Sequence, residues 1–207
     1  MILKNLAAVC NAHKRIFLYS SATSDVQWAG DGKAFYPLHG VPWLDGDTIQ
    51  TIFSVPEKQR NKFDIQDLVL PGYLDYRDVP DCGEIQLRPE ELSIGYEDMV
   101  LYPVRTRRGL MFYNPVYLKP LADKLAKIEM YERESPTGQI YFAAKAGTFL
   151  EAIILPEDVN EEKLLDKLRD LTDDLETTLH YQTAEEEVEE DLAQIRIDPR
   201  TGEVLNA

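Results

Sequence analysis

Ile140-Tyr141-Phe142-Ala143-Ala144-Lys145-Ala146-Gly147-Thr148-Phe149-Leu150-Glu151-Ala152-Ile153-Ile154-Leu155 decides the fold of this chain. Two runs of aromatic, β-branched and small apolar residues flank Lys145-Ala146-Gly147, and runs of this kind bounded by a glycine turn read as a β-hairpin. Both runs are apolar almost without interruption, so both of their faces need cover, which places the hairpin centrally in a sheet.

Toward the N-terminus, Pro120 suits the first turn of a helix, and a helix is predicted from about Lys119 with Leu121, Leu125 and Ile128 on its buried face. Ser135-Pro136-Thr137-Gly138 ends it. Residues 64 to 113 read as short strands and turns, with strands at 68–70, 84–87, 99–102 and 110–113 and Arg107-Arg108-Gly109 turning between the last two. Near the start, Leu3, Leu6, Val9 and Cys10 share a helical face over residues 2–13, and Ile16-Phe17-Leu18-Tyr19 reads as a buried strand. Gly30-Asp31-Gly32 then turns a hairpin between residues 26 and 36. Asp47 is the predicted N-cap of a helix over 48–54 that stops before Pro56, and a second short helix is expected within 57–63.

Toward the C-terminus, Asp158 or Asn160 caps a helix on which Leu164, Leu168, Leu171 and Leu175 recur at spacings of four, three and four. A terminal hairpin is expected from 195–197 and 203–205 around Pro199 and Gly202. The predicted class is therefore α+β: a largely antiparallel sheet of short hairpins, flanking helices, and a C-terminal acidic helical segment that ends in a short hairpin. The expected division is a near-neutral body over 1–156 and an acidic segment over 157–207, which either stands apart or packs on the body as one domain.

Charge supports that division. The 207 residues carry a net charge of -15, yet residues 1–150 hold 19 acidic and 17 basic residues, while 157–191 hold 15 and 3. A phosphate backbone is bound through Lys and Arg that displace counterions, so this balance argues against direct nucleic-acid binding. No apolar run is long enough for a membrane span, and no basic segment precedes the short apolar stretch at the start, so a cytoplasmic location is expected. The two cysteines, Cys10 and Cys82, are too few for a disulfide framework, and Cys82 is expected in a turn.

The chain has no G-x-S-x-G, P-loop, H-E-x-x-H, C-x-x-C or G-x-G-x-x-G pattern, so no catalytic residue, metal set or cofactor is assigned. The densest group of chemically capable side chains lies in 28–47, where Trp28, Asp31, Tyr36, His39 and Trp43 surround a loop rich in Gly and Pro. These five are the candidate ligand-binding residues, aromatic walls with polar groups to fix a ligand; His39 with Asp45 and Asp47 is a variant as a metal or acid-base set. Their structural alternative is that both tryptophans anchor the core, Asp31 serves a turn and Asp47 a helix cap. Arg105, Arg107 and Arg108, with Tyr102 and Tyr113, form a small basic and aromatic patch suited either to an anion or to an internal acidic partner. Leu164, Leu168, Leu171 and Leu175 are the candidate partner-binding residues, for self-association or for docking on another protein, the alternative being that they cover the protein's own sheet.

The stretch from Trp28 through Gly30-Asp31-Gly32-Lys33-Ala34-Phe35-Tyr36-Pro37-Leu38-His39-Gly40-Val41-Pro42, with Phe53-Ser54-Val55-Pro56-Glu57-Lys58, resembles uncharacterised proteins encoded in bacterial prophages and other mobile elements. The resemblance implies no fold, activity or residue role, but it favours an accessory protein that binds other proteins. The leading functional expectation is therefore a non-enzymatic interaction protein working through its acidic amphipathic helix. The alternative is a small-molecule binder or enzyme with its site in loop 28–47.

Overall fold

The central hairpin forms as its composition dictates, and a sheet of eight strands is assembled around it. The computed structural model describes the chain apart from residues 22–24, 82, 89, 97, 160, 195, 198–203 and 206–207, and apart from the side chains of residue 161 and of residues beyond 181. In chain order the elements are α1 (Leu3–His13), β1 (Arg15–Ser20), β2 (Trp28–Gly30), β3 (Ala34–Pro37), α2 (Gly46–Ile52), α3 (Glu57–Arg60), β4 (Asp64–Val69), β5 (Ile85–Gln86) and β6 (Ile94–Tyr96). There follow β7 (Met99–Thr106), β8 (Gly109–Tyr113), two 3-10 helices (Pro115–Leu121 and Leu125–Lys127), β9 (Ile128–Glu134), β10 (Ile140–Ala146), β11 (Phe149–Ile154), α4 (Glu161–Gln194), β12 (Arg196–Ile197) and β13 (Val204–Leu205). The large sheet runs β4-β1-β2-β3-β11-β10-β9-β5, antiparallel throughout except for the parallel pair β1 and β4. A three-stranded sheet, β6-β7-β8, accompanies it. The class is α+β with a mostly antiparallel sheet, as the sequence predicts.

The chain divides into two compact units, Met1–Asp158 and Val159–Ala207. In the first, strand alternation sorts the core into two layers, because successive side chains of a strand point to opposite faces. Ile16, Leu18, Ala29, Tyr36, Phe142 and Ile154 face the layer that also holds Leu6 and Val9 of α1, Val104 and Tyr113 of the smaller sheet, and Tyr117 and Leu121 of the first 3-10 helix. Tyr19, Trp28, Phe35, Tyr141 and Ile153 face the other way, onto Leu70 and Leu74. The first face is thus covered by regular structure. Its counterpart is covered by an irregular strap, residues 70–81.

The second unit comprises α4 and the β12-β13 hairpin. No described helix is long and apolar enough to cross a membrane.

Two expectations change. Residues 128–134 are not the end of a helix: Ile128–Glu134 is a seven-residue strand paired along its whole length with β10, and the segment before it is 3-10 helix. Pro115 and Pro120 lack the N–H that an α-helical ladder needs, which suits short 3-10 turns. The N-cap of α2 is Asp45, whose side chain accepts from the Thr48 N–H, and Asp47 lies inside the first turn. Asn160 and Cys82 lie outside the described residues.

Gly30 illustrates how tightly the β2-β3 hairpin closes. A Cβ at this position would lie 1.8 Å from the Ala34 carbonyl oxygen, whereas Gly40, at φ +70°, has open space around it. Gly30→Ala should therefore cost more than about 2 kcal/mol through backbone displacement, and Gly40→Ala only about 1 kcal/mol, from conformation alone. Urea unfolding of the two variants checks this; equal midpoints would mean that the hairpin tolerates the methyl group.

Candidate functional site

The strap begins at Leu70, just past the edge strand β4, and the chain reaches β5 at the opposite edge, with 15 residues between Val69 and Ile85. Crossing eight strands spaced by about 4.8 Å means spanning on the order of 30 Å, more than 15 residues of α-helix cover, and the described residues of the segment do so through turns and bends. A segment without a regular ladder leaves most of its carbonyls to outside donors, and Arg133 of β9 supplies three of them. Its side chain is fully buried, and Nη1 donates to the carbonyls of Asp75 at 2.9 Å and Arg77 at 2.8 Å. Nη2 reaches the Asp78 carbonyl at 3.3 Å and Glu84 Oε2 at 2.8 Å, and Nε also donates to Glu84. Lys145 of β10 pairs with the other Glu84 oxygen and lies 5.0 Å from the Tyr131 ring centroid. Two further ties complete the clasp: the Asp75 N–H donates to Tyr141 Oη at 2.9 Å, and the Leu150 N–H donates to Asp78 Oδ1 at 2.7 Å.

Beside the strap lies a cavity of about 860 Å³. Its aromatic lining comes from Trp28, Tyr73, Tyr76 and Tyr141, and its charged lining from Asp75, Arg77, Asp78, Asp81 and Glu134. Burial opposes charge on Asp75, but hydrogen bonds from the Arg77 side chain and from the N–H groups of Arg77 and Asp81 outweigh it and hold the carboxyl below its ordinary range. The Tyr76 hydroxyl is buried without a hydrogen-bond partner among the described residues, a cost of about 1–3 kcal/mol. That ring packs edge-to-face with Trp28 and Phe35.

Of the five residues singled out between 28 and 43, the structure brings two to this cavity, Trp28 and His39. Trp28 is 4% exposed, while Trp43 is 61% exposed and is not part of the lining. Asp31 and Tyr36 belong elsewhere. The Asp31 side chain is wholly buried, with Oδ2 2.5 Å from His13 Nδ1 and Oδ1 accepting from the N–H groups of Lys33 and Ala34 at 3.0 Å each. Tyr36 donates to the Tyr117 carbonyl at 2.7 Å. Together they fasten α1 and the first 3-10 helix to the hairpin. Burial, then the charge of Asp31, pushes the neighbouring Cys10 thiol far above its ordinary range, so it stays protonated and unreactive.

The arginine patch is already matched within the first unit. Arg105 pairs with Glu90 at 2.6 Å, Arg107 with the buried Glu132 at 2.5 Å, and Arg108 with Glu134 at 2.7 Å. Little positive potential remains there to attract an anion. On α4, Leu164 is buried, Leu168 is half-buried, and Leu171 and Leu175 are 58% and 64% exposed.

Sequence reasoning passed over Tyr73, Asp75, Tyr76, Arg77, Asp78, Asp81 and Tyr141. The available signal was the density of Tyr, Asp and Pro in 71–81 without any period, which marks an irregular segment too aromatic to stay in water. Among the described residues, no group of three or more His, Cys, Asp or Glu is placed to hold a metal ion. The chain matches no known protein family, no curated protein and no solved structure.

Arg133→Met removes the three hydrogen bonds to the strap carbonyls and the two to Glu84, leaving Glu84 with Lys145 alone, at an expected cost of about 3 kcal/mol. Arg77, whose side chain is 56% exposed, then becomes the first site of tryptic cleavage. Limited proteolysis with mass analysis reads this out, and unchanged protection of the Arg77 bond would show that packing alone holds the strap.

Proposed function

We propose that this protein acts by binding another protein, one that presents a basic amphipathic helix, through α4. The observation that carries the reading is the exposure of Leu171, Leu175 and Leu179, at 58%, 64% and 60%, on a helix of 34 residues. Leucines four apart lie on one side of a helix, and an apolar stripe in water is a surface that binding covers. The stripe is set in acid: residues 161–194 hold 13 Asp and Glu against 3 Lys and Arg. Two such helices repel each other, so charge favours a basic partner over a second copy. The resemblance of residues 28–42 and 53–58 to proteins of prophages and mobile elements supports an accessory role of this kind.

A synthetic helix with leucines at spacings of three and four and lysines elsewhere is a suitable probe. By fluorescence anisotropy it should bind the full chain, weaken at least tenfold as salt rises from 50 to 300 mM by rough reckoning, and lose binding on Leu171→Ser with Leu175→Ser. The chain ending at Asp158 should remain folded by circular dichroism and fail to bind. Binding that survives both changes would place the contact on the first unit, and sedimentation showing a dimer abolished by the leucine changes would make a second copy the occupant; either result overturns the proposal.

A further inference from the structure

The cavity beside the strap has a wall chemistry that the acidic helix does not use. Trp28 and Tyr76 meet with ring centroids 5.1 Å apart and planes at 70°, so the two rings form a corner and not a stack. Tyr73, 39% exposed, belongs to the same lining. The Tyr76 hydroxyl has no hydrogen-bond partner among the described residues, and the residue belongs to the cavity lining.

The charged lining is one-sided. Four carboxylates, Asp75, Asp78, Asp81 and Glu134, accompany one guanidinium, Arg77. Arg77 is committed, with Nε and Nη2 on Asp75 and Nη1 on Asp81 at 2.7 Å. Glu134 is committed to Arg108. Asp78 differs: its Oδ1 accepts from the Leu150 N–H, and no cation pairs with it among the described residues. A carboxylate with no cationic partner, in the same cavity as an aromatic corner, disfavours an anion and attracts a cation through charge and ring quadrupole together.

Small metal ions are poorly served, because they require several oxygen ligands to replace their water and no group of three or more His, Cys, Asp or Glu is placed to hold one among the described residues. A weakly hydrated alkylammonium gives up its water more readily and matches ring faces. At about 860 Å³ the cavity lies within the ordinary range for small-molecule sites. We propose that it binds a small organic cation of the alkylammonium class, with Trp28, Tyr73 and Tyr76 against the alkyl groups and Asp78 supplying the countercharge.

The chain has two tryptophans, and Trp43 is not part of the lining, so Trp43→Phe leaves Trp28 as the only indole and a reporter in the wall. Choline and 3,3-dimethylbutan-1-ol, its uncharged isostere, are the probes, titrated in the full chain carrying Trp43→Phe. Choline should change the emission saturably, the isostere should bind at least tenfold more weakly, and Asp78→Asn should weaken choline tenfold while leaving the isostere unchanged. Asparagine keeps the oxygen that accepts from Leu150, so the strap tie is preserved. Tyr73→Ala, at the exposed rim, should give a similar loss and stands in should the Asp78 variant fold poorly. Absence of a saturable response, equal affinity for the uncharged isostere, or an unchanged choline affinity in both variants overturns the proposal. None of these results bears on α4, so the two readings succeed or fail separately.

Discussion

The arrangement of the first unit depends on one buried guanidinium. Arg133 sits near the end of a pairing strand with its side chain fully buried, and it donates to three carbonyls of a segment with no regular structure of its own. Without those donors the carbonyls of Asp75, Arg77 and Asp78 would lose these protein partners, at a cost for each that water does not reach. The middle of the strap, from Asp75 to Asp78, is therefore registered to β9. The cavity wall follows from that register, since Tyr73 and Tyr76 are carried by the strap while Trp28 and Tyr141 are carried by the sheet.

β9 is an ionic strand on both faces. On one side Glu132, 1% exposed, receives the N–H and Nε of Arg107 from the β7-β8 turn, and Glu134 receives Arg108. On the other, Arg133 holds the strap and Glu84. Buried ion pairs add little net stability over apolar packing, because desolvation offsets the attraction. What they supply here is position. A layer of leucines would cover the face equally well but would accept the strap in several registers, whereas three carbonyls on one planar fork admit one.

That same feature separates what the sequence reveals from what it conceals. The hairpin of β10 and β11 is legible because apolar runs around Lys145-Ala146-Gly147 have few other solutions, and α4 is legible because its leucines recur at helical spacing. β9 is not legible. Ile128-Glu129-Met130-Tyr131-Glu132-Arg133-Glu134 alternates properly between two faces, but the inward positions of its second half are Glu132 and Arg133, residues normally read as solvated. Their partners, Arg107, Glu84 and the strap carbonyls, lie 25 to 58 residues away in sequence, beyond any local pattern. The cavity is hidden for the same reason. Trp28 and His39 come from the loop that composition marks, but Asp31 and Tyr36 alternate onto the opposite side and Trp43 lies on the surface, while the remaining wall comes from a segment with no period at all.

Internal pairing also explains why charge differs so much between the two units. The arginines of the β7-β8 turn, Arg77 and Arg133 all face carboxylates within the first unit, so it projects little field despite its many charged residues. The acids of α4 have few such partners in their own sequence, with 3 bases among 13 acids, and their field extends to about the Debye length. A surface of that kind governs encounter, through long-range attraction that salt weakens. The cavity beside the strap sets aromatic rings next to a carboxylate, and contacts of that kind act at short range, where salt matters less. The sequence segregates charge between the two units, and the clasp at Arg133 is what lets a near-neutral body hold an irregular segment against its sheet.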